Sequence, residues 1–213
     1  MFKHRRIWLV ITPIVIVLVA LGVWFCFPSL RLMVRAGHIQ NIPKPQAQWV
    51  DAHRYDSEWF DAARVGRADI TQALYEAHYP IDSQTSSGYS AVILAAYNDQ
   101  PDALRYLLSI GANACLGDRN GNTALMGALY KGHAEIARIL LDTRCPVDQT
   151  NNAGETALSF ATLFGRLDLL PAIAAKGADI NHVDVHGNTA LAVALKQGND
   201  PSVNALRKLG AKD

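Results

Sequence analysis

The stretch Gly121-Asn122-Thr123-Ala124-Leu125 decides the fold, because three other stretches repeat it at a fixed interval. A glycine recurs every 33 residues, and a Ser or Thr, an Ala and a branched apolar residue follow it two, three and four positions later. The glycines of this series are Gly88, Gly121, Gly154 and Gly187. Four coincident series at one period are not a chance match, and a period of about 20 to 50 residues is typical of a solenoid.

Each repeat predicts a turn followed by two short helices. Gly121 permits a left-handed turn, and the hydroxyl of Thr123 can cap the helix that begins after it. Apolar residues at helical spacing give residues 125–129 one buried face, and Gly132 ends this helix. A second amphipathic helix is predicted over residues 135–141.

These motifs resemble the ankyrin repeat, whose units read Asp-x-x-Gly-x-Thr-Pro-Leu, then Gly-His, Leu-Leu and Gly-Ala-Asp-x-Asn. Residues 118–125 match the first motif, Gly132-His133 and Leu140-Leu141 the next two, and residues 177–181 the last. The resemblance implies an all-α ankyrin-repeat solenoid of helix-turn-helix units with hairpin fingers. It implies a repeat domain over residues 58–213, about 4.7 units long, in which residues 58–82 lack the Gly-x-Thr start and form an N-terminal cap.

The sequence departs from the family pattern at two positions of each unit. Alanine follows the Ser or Thr where the family prefers Pro, and the family's His is replaced by Ile93, Met126, Ser159 or Ala192. Because this His belongs to a hydrogen-bond network between neighbouring turns, we expect an array less rigid than one with the family's preferred residues.

An uncharged apolar segment precedes the repeats. It begins at Ile7, ends at Phe27 and contains 18 apolar residues in 21. As a helix it would be about 31 Å long, close to the ~30 Å hydrocarbon core of a bilayer. We predict one transmembrane helix over residues 7–27, between a basic tail of residues 1–6 and a juxtamembrane connector of residues 28–57. A cleaved signal peptide is the alternative, but its apolar core usually has only about 7–15 residues.

The orientation in the membrane is predicted from the order of these segments. Basic residues lie on both sides of the span, so the charge bias discriminates little. A short basic tail followed at once by a long apolar run is typical of an exported chain with an uncleaved anchor. We therefore predict a single-pass protein of the bacterial cytoplasmic (inner) membrane with its C-terminal repeats in the periplasm. The alternative is a cytosol-facing scaffold on the same anchor.

Sequence patterns of catalysis do not occur in this chain. It has no phosphate loop, no dinucleotide-binding glycine pattern and no Gly-x-Ser-x-Gly motif. The part after the span has 17 Lys and Arg against 19 Asp and Glu, which argues against nucleic-acid binding. We predict that the protein is not an enzyme and uses no cofactor, metal or small-molecule substrate. The spacing of His182 and His186 would suit zinc, but no third ligand follows at a matching spacing, so we interpret both as exposed loop residues.

Two cysteines fall near one another in adjacent repeats, because Cys145 corresponds to a position three residues before Cys115. A disulfide requires Cα atoms within about 7 Å, whereas packed helices lie about 10 Å apart. We expect two free, largely buried thiols. A disulfide is the alternative, and it would indicate an oxidising compartment.

The resemblance implies a protein partner that binds the finger tips and the exposed side of the first helices, on the concave face. Carried over by repeat phase, this prediction selects Tyr89, Tyr97, Asn98, Arg119, Asn120, Asn122, Tyr130, Lys131, Asn152, Glu155, Leu163, Phe164, Val185, His186, Asn188, Lys196 and Gln197. Tyr97, Tyr130, Leu163 and Lys196 lie 33 residues apart and should form a ladder. Exposed tyrosines in such a row are better explained by binding to a partner than by a role in folding. The alternative is that they pack on the tips of adjacent turns. The functional hypothesis is a membrane-tethered module that recruits or shields a partner protein. The alternative of a different class is a metal- or thiol-dependent activity that uses His182, His186, Cys115 or Cys145.

Overall fold

Five successive helix pairs make up the part of the chain that the computed structural model describes, residues 52–212. The first helices of the pairs are α1 Asp56–Val65, α3 Ala91–Tyr97, α5 Ala124–Lys131, α7 Ala157–Leu163 and α9 Ala190–Lys196. The second helices are α2 Ala68–Glu76, α4 Pro101–Ser109, α6 Ala134–Leu141, α8 Leu170–Ala175 and α10 Asp200–Lys208. This alternation is the predicted helix-turn-helix solenoid.

The N-terminal boundary differs slightly from the prediction. A 3-10 turn, Ala52–Tyr55, and the first residues of α1 fall in the stretch assigned to the connector. The predicted basic tail, the span over residues 7–27 and the connector as far as residue 51 lie outside the described residues. Within residues 52–212, no helix has the length and apolar character needed to cross a bilayer.

Hydroxyl side chains start four of the five first helices, as the sequence predicts. Ser90 accepts a hydrogen bond from the backbone N–H of Ile93 at 3.3 Å, and Thr123 accepts one from Met126 at 3.4 Å. Thr156 and Thr189 make the same bond in the next two repeats. Each cap satisfies one of the backbone donors that a helix N-terminus leaves without an intrahelical partner.

The fingers are short hairpins that bond to one another in series. Antiparallel bridges close three of them, including the bridge from Gly117 to Thr123. The N–H of Arg119 donates to the carbonyl of Ser87 at 3.1 Å, and Asn152 and Val185 repeat this bond one and two fingers later. These backbone bonds connect the fingers without the family's His. The lower rigidity expected from its absence stays a prediction.

The core is thin, because alanines let the first helices approach one another closely. Ala95, Ala128 and Ala161 have no exposed surface. Gly88 shows how tight the packing of adjacent fingers is: its φ is +81°, and a Cβ built on it would come within 2.6 Å of the backbone nitrogen of Arg119. A glycine is needed there both for the turn and for the next finger to approach.

Cys115 and Cys145 form a disulfide, so the expectation of two free thiols is wrong. Their Cα atoms are 5.3 Å apart. The expectation rested on the spacing of packed helices, but both cysteines lie in the loops that connect a second helix to the next finger. Consecutive loops approach more closely than consecutive helices: Gln149 also crosses between them and donates to the carbonyl oxygen of Cys115 at 2.8 Å.

Candidate protein-binding groove

An open groove of about 540 Å³ runs along α3, α5 and α7 beneath three fingers. Its size lies within the range of about 300–1,000 Å³ that is usual for binding pockets. The groove is lined by Tyr89, Ile93, Tyr97, Asp118, Asn120, Asn122, Thr123, Gly127, Tyr130, Asn151, Asn152, Ala153, Glu155, Phe160 and Phe164. We call this set the aromatic groove. Eight of its members belong to the predicted partner-binding residues: Tyr89, Tyr97, Asn120, Asn122, Tyr130, Asn152, Glu155 and Phe164.

Stacked aromatic rings form the floor of the aromatic groove. The rings of Tyr97 and Tyr130 lie 6.1 Å apart between centroids and are nearly parallel. The edge contact between Tyr130 and Phe164 has a centroid distance of 4.8 Å, and Phe160 adds a further ring 5.7 Å from Phe164. Both tyrosines keep a large exposed fraction, 39% for Tyr97 and 46% for Tyr130.

The first two members of the predicted ladder, Tyr97 and Tyr130, therefore lie side by side, and the aromatic stack continues to Phe164, the residue after the predicted third member, Leu163. Phe164 contacts Tyr130, whereas Leu163 lines a separate small cavity of about 20 Å³ near Asp184. Phe164 is the residue that follows the last residue of α7, Leu163, so the ring that contacts Tyr130 lies one position after the one that the period selects. The predicted fourth member, Lys196, is exposed on the last repeat and does not line the groove.

Side chains from the following repeat fix the helix ends that carry the two tyrosines. Arg166 donates from Nε to the carbonyl of Leu129 at 2.8 Å and from Nη2 to that of Tyr130 at 3.0 Å. His133, at the corresponding position one repeat earlier, lies with Nε2 3.3 Å from the carbonyl oxygen of Tyr97. His133 thus has the structural role that its place in the repeat implies. The backbone at both tyrosines is therefore in contact with a side chain of the following repeat.

Asparagine and carboxylate side chains form the walls. One carboxylate oxygen of Asp118 accepts the N–H groups of Asn120 and Asn122, at 2.8 and 2.9 Å. In the next finger, Asn151 donates from Nδ2 to Asn122 at 3.0 Å and to Glu155 at 2.8 Å. Hydrogen bonds therefore connect the two walls. Asn122 and Glu155 each use one side-chain oxygen in these structural bonds.

The sequence prediction missed five side chains or positions in or beneath the groove that matter for its shape. Asp118 and Asn151 shape the fingers, Ile93 and Phe160 lie on the first helices, and Gly127 leaves space between them. A signal was present at Gly127: the same position carries Leu94 one repeat earlier and Phe160 one repeat later. A small residue between two large ones at one repeat position creates an opening on that face of the helices.

Other predicted residues lie outside the aromatic groove. Lys131 places Nζ 4.8 Å from the ring centroid of Tyr97, in the geometry of a cation–π contact. The side-chain nitrogen of Asn98 donates to the carbonyl of Leu94 at 2.8 Å and so caps α3. The residues that do not line the groove are Asn98, Arg119, Lys131, Leu163, Val185, His186, Asn188, Lys196 and Gln197.

The last finger has a structural network of its own. Hydrogen bonds from the backbone and side chain of Asn188 and from the backbone of His186 hold the pKa of Asp184 below its usual value. His182 lies with Nε2 2.9 Å from the carbonyl oxygen of Gly154, which occupies that ring nitrogen in a contact between fingers. Among residues 52–212, no three His, Cys, Asp or Glu side chains are grouped so as to hold a metal ion.

Comparison with known proteins agrees with this geometry. The family described as ankyrin repeats in three copies matches residues 59–151 and 143–213. The chain is also similar to ankyrin repeat and SAM domain-containing protein 6 of Mus musculus, with 38% identity over 64 residues. That match covers 30% of this chain and 7% of the mouse protein, so the chain corresponds to only a small part of that relative. The chain belongs to the ankyrin repeat family, whose repeats are generally non-catalytic protein–protein interaction modules.

Proposed function

We propose that this protein is a membrane-tethered, non-catalytic module that recruits or shields another protein through the aromatic groove. The observation that carries the proposal is the exposed stack of Tyr97 on Tyr130. Tyrosine is enriched among the residues that dominate the energy of interfaces. Neighbouring rings contact this stack, and Arg166 bonds to the backbone carbonyl of Tyr130. Because these contacts already restrict the tyrosines, ordering their side chains on binding would cost little free energy.

The disulfide supports the proposed location of the repeats on the exported side of the membrane. Disulfides persist in the periplasm and other oxidising compartments and are rare where thiols are kept reduced. The uncharged segment that begins at Ile7 and ends at Phe27 would provide the tether. A periplasm-active reporter fused after Asp213 tests this topology, and activity of a cytosol-dependent reporter at the same place would contradict it.

The proposed binding face is tested by chemical cross-linking in membranes followed by purification of the full-length chain. We expect Tyr130→Ala to abolish recovery of a partner that the unmodified chain recovers. Tyr75→Ala is the matched control, because Tyr75 is exposed to a similar extent, 39% against 46% for Tyr130, but lies on α2 outside the groove. Undiminished recovery with Tyr130→Ala would exclude the aromatic groove as the binding face.

A further inference from the structure

The aromatic groove is anionic. Of the fifteen residues that line it, only Asp118 and Glu155 carry a formal charge, and both are acidic. Both carboxylate oxygens of Asp118 accept hydrogen bonds within its own finger, from Asn120 and from the backbone and side chain of Asn122. Glu155 accepts a side-chain bond from Asn151 through Oε2 alone. Its other oxygen receives no hydrogen bond from residues 52–212 and is available to a ligand.

The aromatic floor, like the two carboxylates, favours a positively charged ligand. Ring faces carry partial negative charge and attract ammonium and guanidinium groups. The structure contains one such contact already, since Nζ of Lys131 lies 4.8 Å from the ring centroid of Tyr97. The rings of Tyr130, Phe160 and Phe164 line the same groove as Glu155. An anionic ligand would face two carboxylates, and none of the fifteen lining residues is Lys or Arg. The ammonium of Lys131 lies against Tyr97 without lining the groove.

We infer that the aromatic groove binds an arginine side chain presented by an extended segment of the partner protein. This inference rests on the proposed function and specifies the chemistry of its partner. A guanidinium group is planar, so it can stack on the rings while its N–H groups donate to Glu155 and to the asparagine carbonyl oxygens on the walls. A lysine ammonium offers no planar face for stacking and fits this arrangement less well.

Two capped pentapeptides test the inference with the full-length chain in mild detergent. One has arginine at its centre, flanked by leucine and alanine on each side, and the other has citrulline in place of arginine. Citrulline has nearly the same shape but no charge. Fluorescence polarisation of labelled peptides measures both dissociation constants. We expect the arginine peptide to bind about tenfold more tightly, because only its guanidinium can donate charge-assisted hydrogen bonds to Glu155.

Glu155→Gln tests the source of this preference. The glutamine keeps a side-chain acceptor for Asn151 and removes only the charge, so the finger should keep its structure. We expect this variant to bind the arginine and citrulline peptides equally. Glu76→Gln is the matched control, because it removes an exposed carboxylate on α2 outside the groove and should leave the preference unchanged.

The outcomes separate the inference from the proposed function. If the arginine peptide binds no better than the citrulline peptide, or if its advantage persists in Glu155→Gln, the inference is wrong. Either result can coexist with a partner that is lost in Tyr130→Ala, in which case the groove binds a protein by other chemistry. Conversely, a Glu155-dependent preference for arginine, with partner recovery insensitive to Tyr130→Ala, would support the groove chemistry and contradict the proposed function.

Discussion

The middle repeats and the C-terminal repeat have the same pair of helices but expose different side chains. Tyr130 and Lys196 occupy the same position of their repeats, and the tyrosine stacks on an aromatic neighbour where a lysine has no ring to extend the stack. Leu129 and Leu195 also correspond, yet Leu129 has no exposed surface and 47% of Leu195 is exposed. The period specifies the helices throughout, but two leucines at one repeat position differ in burial. Packing against neighbouring side chains, as well as the residue type, therefore decides what a repeat presents to solvent.

Loss of a leucine side chain should give the largest difference between the two regions. We expect Leu129→Ala to lower the free energy of unfolding by about 3–5 kcal/mol, because its packed neighbours cannot fill the cavity. Leu195→Ala should cost less than about 1 kcal/mol, since much of that side chain is already in water. Urea unfolding followed by circular dichroism measures both. Equal losses would mean that burial in the stack does not distinguish the repeats.

The disulfide is the second feature that strengthens the middle of the array. Replacing Cys115 and Cys145 by serine should lower the free energy of unfolding by about 3 kcal/mol, because the bridge closes a loop with a sequence separation of 30 residues in the unfolded chain. Urea unfolding with and without reductant provides the measurement. The reductant should destabilise the unmodified chain and leave the double-serine variant unchanged, and a chain that is insensitive to the reductant would refute this contribution.

At the other end of the array, the capping helix pair should lose stability at high pH. Burial, and then a hydrogen bond of 2.5 Å to Asp56, raise the pKa of Tyr79 to about 12. Unfolding returns this pKa to about 10, so the contribution of the neutral phenol is complete below pH 10 and is lost as the pH rises through 12. The loss should reach ~2 kcal/mol relative to Tyr79→Phe, which removes the ionisable group.

Urea unfolding at pH 9, 10 and 11.5 of the unmodified chain and Tyr79→Phe would measure this loss. The comparison between the two chains removes the contributions of the other tyrosines and of the lysines. Parallel pH profiles would show that Tyr79 ionises as easily in the folded state as in the unfolded one. The capping pair would then have no alkaline weakness of its own.

Most of the scaffold could be predicted from the sequence, because its causes are local. The cap at Thr123 and the turn at Gly121 depend on neighbours within a few residues, and the period then places them in every repeat. The disulfide and the third ring of the ladder could not be predicted. They depend on how closely two loops approach and on which of two adjacent side chains at the end of α7 contacts Tyr130. The groove could be predicted in part. Tyr97 and Tyr130 recur at the repeat period, whereas Gly127, which opens the groove, departs from the large residues at the same position of the neighbouring repeats.

The opening at Gly127 gives the smallest expected effect and connects stability with binding. Glycine inside a helix costs about 0.5–1 kcal/mol relative to alanine, so Gly127→Ala should raise the free energy of unfolding by that amount. A Cβ there would lie 3.6 Å from Cδ2 of Tyr97, an ordinary contact that adds no strain.

Gly127→Leu, which places the residue type of Leu94 at this position, should instead fill the groove and weaken binding of the arginine peptide. Urea unfolding and fluorescence polarisation on both variants separate the two effects. If the leucine variant still binds the peptide as the unmodified chain does, the space above Gly127 is not where the ligand lies, and the contrast between the middle and the end of the array must have another cause.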